Sequence, residues 1–258
     1  MYKSLTESFR EKLRQGAVFG SFMKTSDPAF IEITGYAGMD FVVLDMEHGP
    51  VGLCDMQNNV RAAQLTGLMP IIRVADLNEQ FISQALDIGA GAVQIPQVCT
   101  PEQAEMAVRY AKYYPKGERG VCRFVRAAGY SSTPREQYFE KANSDTLVII
   151  QIEGSKAIDS IDEILAVKGV DIVFIGPYDL SQSFGVPGQT SHPKVISAMK
   201  DIVKRAEKLG VVTGTFTDSP ETLKTWMDVG VKYLSYSVDV GIFYEACVEL
   251  VQGFRSQS

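Results

Sequence analysis

The sequence predicts a single (β/α)8 TIM barrel, on three observations. Eight β-like runs, approximately 17–24, 41–48, 69–75, 92–98, 146–153, 171–177, 211–217 and 233–239, are spaced along the 258 residues. Between them lie stretches with apolar residues three and four apart, the spacing of helices with one buried face. No Pro/Ser-rich linker, low-complexity tract or shift in composition interrupts the series. Such alternation builds a parallel sheet covered by helices, and eight repeats in about 240 residues suggest closure into a barrel rather than an open sheet. One domain over residues 1–258 is the simplest account.

Local chemistry marks where the elements begin and end. After the first run, Asp27-Pro28 supplies an N-cap and a first helical residue that needs no amide hydrogen, and Gly38 stops that helix. Gly67 and Gly89 close the helical patterns after the second and third runs, and Thr100-Pro101 opens the one after the fourth. Tyr113 to Ser132 is longer than an ordinary connection and rich in Arg and Gly, as lids and subunit contacts often are. Thr133-Pro134 looks like another cap pair. Ile158, Ile161, Ile164 and Leu165 form the stripe after the fifth run. Ile196, Met199, Ile202, Val203 and Ala206 form the next, ended by Gly210. Ser219-Pro220 and Gly230 bracket the following helix, and Ile242, Phe243, Ala246 and Leu250 give the last one an apolar side.

A chain that is 45% hydrophobic can bury a large core, and a net charge of −6 leaves no basic surface for nucleic acid. The start, Met1-Tyr2-Lys3-Ser4-Leu5-Thr6-Glu7, lacks the apolar core of a secretory signal, and no apolar stretch approaches the ~18 residues of a membrane span. Cys54, Cys99, Cys122 and Cys247 have neither metal-ligand nor redox spacing. The expectation is a soluble cytoplasmic protein with reduced thiols, in which Cys99, near a strand end, is a small core residue in preference to one facing the site. Neither phosphate-binding glycine loop of the nucleotide-binding folds is present, which disfavours nucleotides.

Several runs end in ionisable groups. Leu147 to Ile152 leads into Glu153, and Asp171 to Tyr178 leads into Asp179. Phe41 to Leu44 leads into Asp45-Met46-Glu47-His48, and Pro70-Ile71-Ile72 into Arg73. A buried carboxylate must be paired, neutralised or bound to a metal. In barrels of this class the C-terminal ends of the strands form the active site, so His48, Arg73, Glu153 and Asp179 are expected to converge. Glu153 and Asp179 with waters would suit Mg2+ or Mn2+; alternatively each carboxylate caps a helix, or the pair serves a glycosidase. His48 is one of two histidines, placed for proton transfer or for a structural hydrogen bond, whereas His192 reads as a helix-start residue. Arg73 needs an anion, either a protein carboxylate or a substrate oxygen. Gly176-Pro177-Tyr178-Asp179-Leu180-Ser181 is an ordinary turn or a cradle of amides for a carboxylate. Metal, arginine and histidine around such a cradle suit formation of an enolate beside a carboxylate. The metal would chelate a 2-oxo acid, the metal and Arg73 would stabilise the enolate oxygen, and His48 would move the proton.

These residues also carry a family likeness. Asp45-Met46-Glu47-His48-Gly49-Pro50, Arg73, Leu86-Asp87-Ile88-Gly89-Ala90, Pro115-Lys116-Gly117-Glu118-Arg119-Gly120, Gln151-Ile152-Glu153 and Gly176 to Ser181 resemble the signatures of the HpcH/HpaI aldolases. These are class II pyruvate aldolases, and the likeness runs from about residue 10 to residue 250. The resemblance implies a divalent ion (Mg2+, Mn2+ or Co2+) on Glu153 and Asp179, with Arg73 at the 2-oxo group. It implies His48 as acid and base, oriented by Asp87, with Gln151 lining the site and Asp45 beside the acceptor aldehyde. Amides around Tyr178 and Asp179 would receive the pyruvate carboxylate. A homo-oligomer, a hexamer built from dimers that exchange the last barrel helix near 240–253, is implied as well. The expected reaction is reversible cleavage of a 4-hydroxy-2-oxo acid to pyruvate and an aldehyde, with neither nucleic acid nor membrane as partner.

Three rival readings compete with this one. Lys24 after the first run or Lys156 after the fifth could form a Schiff base with the substrate. A related lyase acting on malyl- or citramalyl-type acyl-CoA thioesters would need a basic surface that the acidic chain offers little of. A non-catalytic 2-oxo-acid-binding barrel would have no use for the His48–Asp87 pair.

Overall fold

The computed structural model describes residues 4–152 and 154–256. Eight parallel strands close in sequence order, each bonded to the next and the eighth to the first. They are β1 (Val18–Met23), β2 (Phe41–Asp45), β3 (Met69–Arg73), β4 (Ala92–Val98), β5 (Leu147–Ile152), β6 (Ile172–Ile175), β7 (Val212–Thr217) and β8 (Tyr233–Val238). Helix α1 (Leu5–Gln15) precedes the barrel, and α2 (Pro28–Tyr36), α3 (Leu53–Leu65), α4 (Glu79–Asp87) and α5 (Pro101–Ala111) follow the first four strands. A 3-10 helix (Arg126–Ser131) and α6 (Arg135–Asp145) come before β5. After it run α7 (Gly154–Asp159), α8 (Ile161–Leu165), α9 (Pro177–Ser183), α10 (Pro193–Lys208), α11 (Pro220–Val229) and α12 (Asp239–Arg255). All eight runs expected from the sequence are strands.

Two apolar cores explain this closure. Inside the barrel, Phe22, Phe41, Val43, Ile71, Ile149, Phe174 and Tyr233 fill the lumen, with Phe41 stacked on Tyr233 at 4.3 Å between ring centres. Phe9 and Leu13 of α1 plug the lumen at the N-terminal ends of the strands. Alternate residues of the same strands, among them Val42, Leu44, Ile72, Val148, Ile150 and Val173, face outward against the helices. Strands buried on both faces read as unbroken β-branched runs, which is why the sequence signals them so clearly. At Gly20 a Cβ would lie 2.3 Å from the Phe41 carbonyl oxygen, so β1 can approach β2 only with glycine there.

Capping follows the expected pairs. Asp27, Thr100 and Ser219 accept helix amides ahead of their prolines, and Nδ1 of His192 accepts from the Lys194 amide to cap α10. Thr133 is not such a cap: Pro134 itself precedes α6, with no side-chain acceptor. Because the strands are parallel, each return helix runs from their C-terminal to their N-terminal ends. The segment between α5 and β5 therefore lies at the N-terminal end, far from the strand ends that build the site. There Arg126 bonds the Ile88 carbonyl and Gln64 beneath α4, so the segment is not a lid over the site of its own chain.

Two further features matter below. Helix α12 buries only Asp239, while Phe243, Leu250 and Phe254 stand exposed along it. Among the described residues no helix is long and apolar enough to cross a membrane.

Lys112 shows how the N-terminal end is held. Its buried ammonium donates to the carbonyls of Asn143 and Thr146, at the end of α6, where helix carbonyls lack partners. Burial lowers this amine to about 8 from 10.5, with the Asp171 charge working against the shift. The folded protein therefore releases this proton before the unfolded chain does. Its penalty on stability is full below pH 8 and is relieved as pH rises towards 10.5. Urea unfolding of the wild type and Lys112→Met should show the difference moving in favour of the wild type by about 2–3 kcal/mol across that window. A constant difference would show that the amine titrates alike in both states.

Candidate active site

Asp45 ends β2, Arg73 ends β3, and the two are register partners. The carboxylate meets the guanidinium edge to edge, with Nε to Oδ1 at 2.9 Å and Nη2 to Oδ2 at 2.7 Å. Asp45 is wholly buried and Arg73 nearly so. Burial works to raise the Asp45 carboxyl, but the hydrogen bonds and charge of Arg73, with the amides of His48 and Glu47, outweigh it and hold the group below the usual carboxylate range. A second carboxylate, Glu47, places Oε2 2.8 Å from Nη1 as an ion pair. A guanidinium carries five N–H bonds. The two acids fix its plane while protons remain on both terminal nitrogens for a ligand. Arg73 thus answers to protein carboxylates and still reaches the cavity described below.

The turn after β2 is shaped by the same aspartate. Oδ1 of Asp45 accepts the amides of Glu47 at 3.1 Å and His48 at 3.2 Å. Gly49 closes the turn so tightly that a Cβ would fall 2.2 Å from the Asp45 carbonyl oxygen. His48 consequently projects at the rim, its side chain 61% exposed, with Nε2 3.8 Å from Glu47. Gln97 donates to the other oxygen of Glu47 at 3.3 Å. It does so from a bulge near the end of β4, where its φ of 55° turns the chain.

A cavity of about 250 Å3 opens at these strand ends, lined by Phe22, Lys24, Arg73, Gln151, Phe174, Gly176, Pro177, Tyr178, Asp179, Phe216 and Val238. Gln151 is held from within the lumen. Tyr233 donates to Gln94 at 3.2 Å, and Gln94 donates to Oε1 of Gln151 at 2.9 Å. Tyr178 donates to Asp218 at 2.8 Å, joining the start of α9 to the loop after the neighbouring strand β7. That bond, with some burial, raises the Tyr178 hydroxyl above its ordinary range. Asp179, in the first turn of α9, has no hydrogen bond or ion pair with any described residue. Its Oδ2 lies against Gly176, where a Cβ would come within 2.5 Å.

The structure brings Arg73, Gln151, Tyr178 and Asp179 to one cavity and sets His48 beside it. Asp45, expected beside the acceptor aldehyde, is buried beneath Arg73 with both oxygens engaged and holds the guanidinium. Asp87 is not near His48 within one chain. It is the last residue of α4, at the opposite end of the barrel, and Oδ1 accepts from Arg119 at 2.5 Å. Glu153 lies outside the described residues. Lys24 lines the cavity, whereas Lys156 is an exposed residue of α7 that does not. Gln94, Gln97 and Tyr233 escaped sequence reasoning, since each lies inside an apolar run and acts through a distant partner.

Among the described residues no three His, Cys, Asp or Glu side chains gather closely enough to hold a metal. The donor chemistry nevertheless fits a divalent ion. Asp179 offers an unpartnered carboxylate beside the cavity, and Asp45, Glu47 and Asp179 outnumber the cations Arg73 and Lys24. Hard oxygen donors and excess negative charge suit Mg2+ or Mn2+.

Comparison with known proteins places this geometry in context. Residues 19–246 match the model of the HpcH/HpaI aldolase/citrate lyase family. The chain is 34% identical over 254 residues to a 2-keto-3-deoxy-L-rhamnonate aldolase of Escherichia coli K12, covering 98% of this chain and 94% of that one. It is 33% identical to a 2-dehydro-3,6-dideoxy-6-sulfogluconate aldolase of Pseudomonas putida, over 95% of each. The crystal structure of an HpcH/HpaI aldolase/citrate lyase family protein from Burkholderia cenocepacia J2315 superposes with a TM-score of 0.88. It is 31% identical and covers 96% of this chain and 99% of that one.

Removing Asp45 should expose the weight of the pair. Asp45→Ala leaves a buried guanidinium short of its main partner and should lower unfolding free energy by about 3–5 kcal/mol. The contribution of Asp45 is present above the unfolded value of 3.8 and is lost as pH falls through the lowered folded one. Urea titrations should therefore show the wild-type advantage over Asp45→Asn shrinking on acidification. An advantage that grew with acid would reverse the assignment.

Proposed function

The chain belongs to the HpcH/HpaI aldolase/citrate lyase family, and from that membership and the site we propose a divalent-metal-dependent pyruvate aldolase. It would cleave 4-hydroxy-2-oxo acids reversibly into pyruvate and an aldehyde. The observation that carries this reading is Arg73, locked by two carboxylates yet lining the same small cavity as the unpartnered Asp179.

Arg73 donates to the 2-oxo oxygen of the substrate. As the C3–C4 bond breaks, its electron pair moves towards that oxygen, and the fixed guanidinium stabilises the charge without having to reorient. Gln151, braced by Gln94 and Tyr233, orients the 2-oxo acid, and the amides of Tyr178 and Asp179 receive its carboxylate. His48 takes the proton from the 4-hydroxyl group at the rim, so that C4 leaves as an aldehyde. The enolate is then protonated at C3 to give pyruvate. The net change moves one proton from the 4-hydroxyl oxygen to C3. A divalent ion, when bound, supplies Lewis acidity to the carboxylate and carbonyl oxygens, and Asp179 with Glu153 would hold it. Any role for Asp87 at His48 requires a second copy of the chain, since one barrel keeps them at opposite ends.

Chelation separates this reading from a lysine mechanism. EDTA should abolish pyruvate methyl-proton exchange in deuterated water, and Mn2+, Co2+ or Mg2+ should restore it. Full activity after exhaustive chelation, with pyruvate trapped by borohydride, would favour an imine at Lys24. Arg73→Ala should depress exchange and cleavage alike by ~10²–10³. His48→Ala should depress cleavage by ~10²–10⁴, and cleavage at the parental rate in a folded, metal-loaded variant would remove His48 from proton transfer.

The exposed apolar side of α12 supports a homo-oligomer, and a hexamer is the form proposed. Sedimentation should find the wild type larger than a dimer at micromolar concentration and the Leu250→Ser, Phe254→Ser double variant smaller. A stable wild-type monomer would count against it.

A further inference from the structure

One cation in the cavity has no task in the reaction just described. Arg73 is matched by Asp45 and Glu47, but the Lys24 ammonium makes neither hydrogen bond nor ion pair with any described residue. Its main chain, in contrast, is firmly held. Both oxygens of the buried Asp239 accept the Lys24 amide at 3.1 Å, and Oδ2 also accepts the Thr25 amide at 2.9 Å and hydroxyl at 2.7 Å. This half-buried lysine therefore combines a clamped backbone with a tip that has no polar partner among the described residues.

Its position says which part of a substrate it meets. Arg73, Gln151 and Asp179 come from the ends of β3, β5 and β6, and they define the side that receives the 2-oxo acid. Lys24 follows β1, on the side of the histidine turn: a Cβ at Gly49, next to His48, would lie 3.5 Å from the Lys24 Cα. The group that loses its proton to His48 is the hydroxyl on C4, so the substituent carried by C4 extends towards Lys24. Phe22 and Phe216, in contact with ring centres 6.1 Å apart, give the same cavity an apolar wall that lowers the local dielectric.

We propose that Lys24 is a specificity-determining residue that reads an anionic group (carboxylate, sulfonate or phosphate) on the aldehyde partner, selecting charged acceptors over neutral ones of equal size. This rests on the aldolase reading above. An ammonium is a point charge on a flexible stem, suited to any of these anions without demanding a planar match.

The test uses metal-loaded enzyme in the condensation direction with pyruvate. Succinic semialdehyde is compared with butyraldehyde, and glyceraldehyde 3-phosphate with glyceraldehyde, as kcat/KM ratios of charged to neutral acceptor. The wild type should prefer the charged member of at least one pair, and the pair with the larger ratio identifies the anion. Lys24→Ala should lower that ratio by about ten- to a hundredfold, as expected for a lost charge-assisted hydrogen bond, and Lys24→Arg should keep most of it. Several results would overturn the assignment: a ratio unmoved by Lys24→Ala, equal losses on both members of a pair, a loss confined to the KM for pyruvate, or borohydride trapping of pyruvate on Lys24. Methyl-proton exchange of pyruvate by the wild type reports separately on the parent reading. Its absence overturns the aldolase itself, whereas exchange with an unmoved ratio overturns only the role of Lys24.

Discussion

The pairing of Asp45 with Arg73 across the ends of β2 and β3 is the interaction on which the site depends. It sets the guanidinium plane, and through the same carboxylate it shapes the turn that carries Glu47 and His48. The pair is buried at the top of an apolar lumen, where an isolated charge would be untenable and a matched one is rigid. Rigidity is what a group needs if it is to meet developing charge without reorganising. Glu47 extends the arrangement outward, touching Arg73, His48 and Gln97 at once.

How much of this could be read from the sequence depends on the distance over which each feature is decided. Strands buried on both faces announce themselves through runs such as Leu147 to Ile152, and caps such as Asp27-Pro28 are decided within a few residues. The convergence of Arg73 and Asp179 followed from the rule that barrel sites form at strand C-termini, whereas Gln151 entered only by resemblance. Partner choice did not follow. Whether Arg73 met a protein acid or a substrate was left open, because the answer lies in the register of β2 on β3. The Gln94–Gln151–Tyr233 chain joins residues 57 and 139 positions apart inside three apolar runs, with no local mark. Asp87 was placed beside His48 by resemblance alone, and the direction of α4 sends it to the far end of the barrel.

The two ends of the barrel are chemically unlike. At the C-terminal ends of the strands, carboxylates outnumber cations around a small cavity. At the N-terminal ends, Lys112, Arg119 and Arg126 are spent on helix carbonyls, Asp87 and Gln64, beneath the plug made by α1. At one end these cations are paired within the chain; at the other, Asp179 and Lys24 have no polar partner among the described residues, which is where a polar ligand gains most by arriving.

Asp239 joins two parts of the molecule that otherwise have separate business. It is the first residue of α12 and the sole buried one in that helix, and its carboxylate is the anchor of the loop presenting Lys24. A change at Asp239 therefore reaches the first turn of α12 and the cavity wall that carries Lys24 together. The helix with the apolar outer side and the wall with the cation are tied at one buried carboxylate.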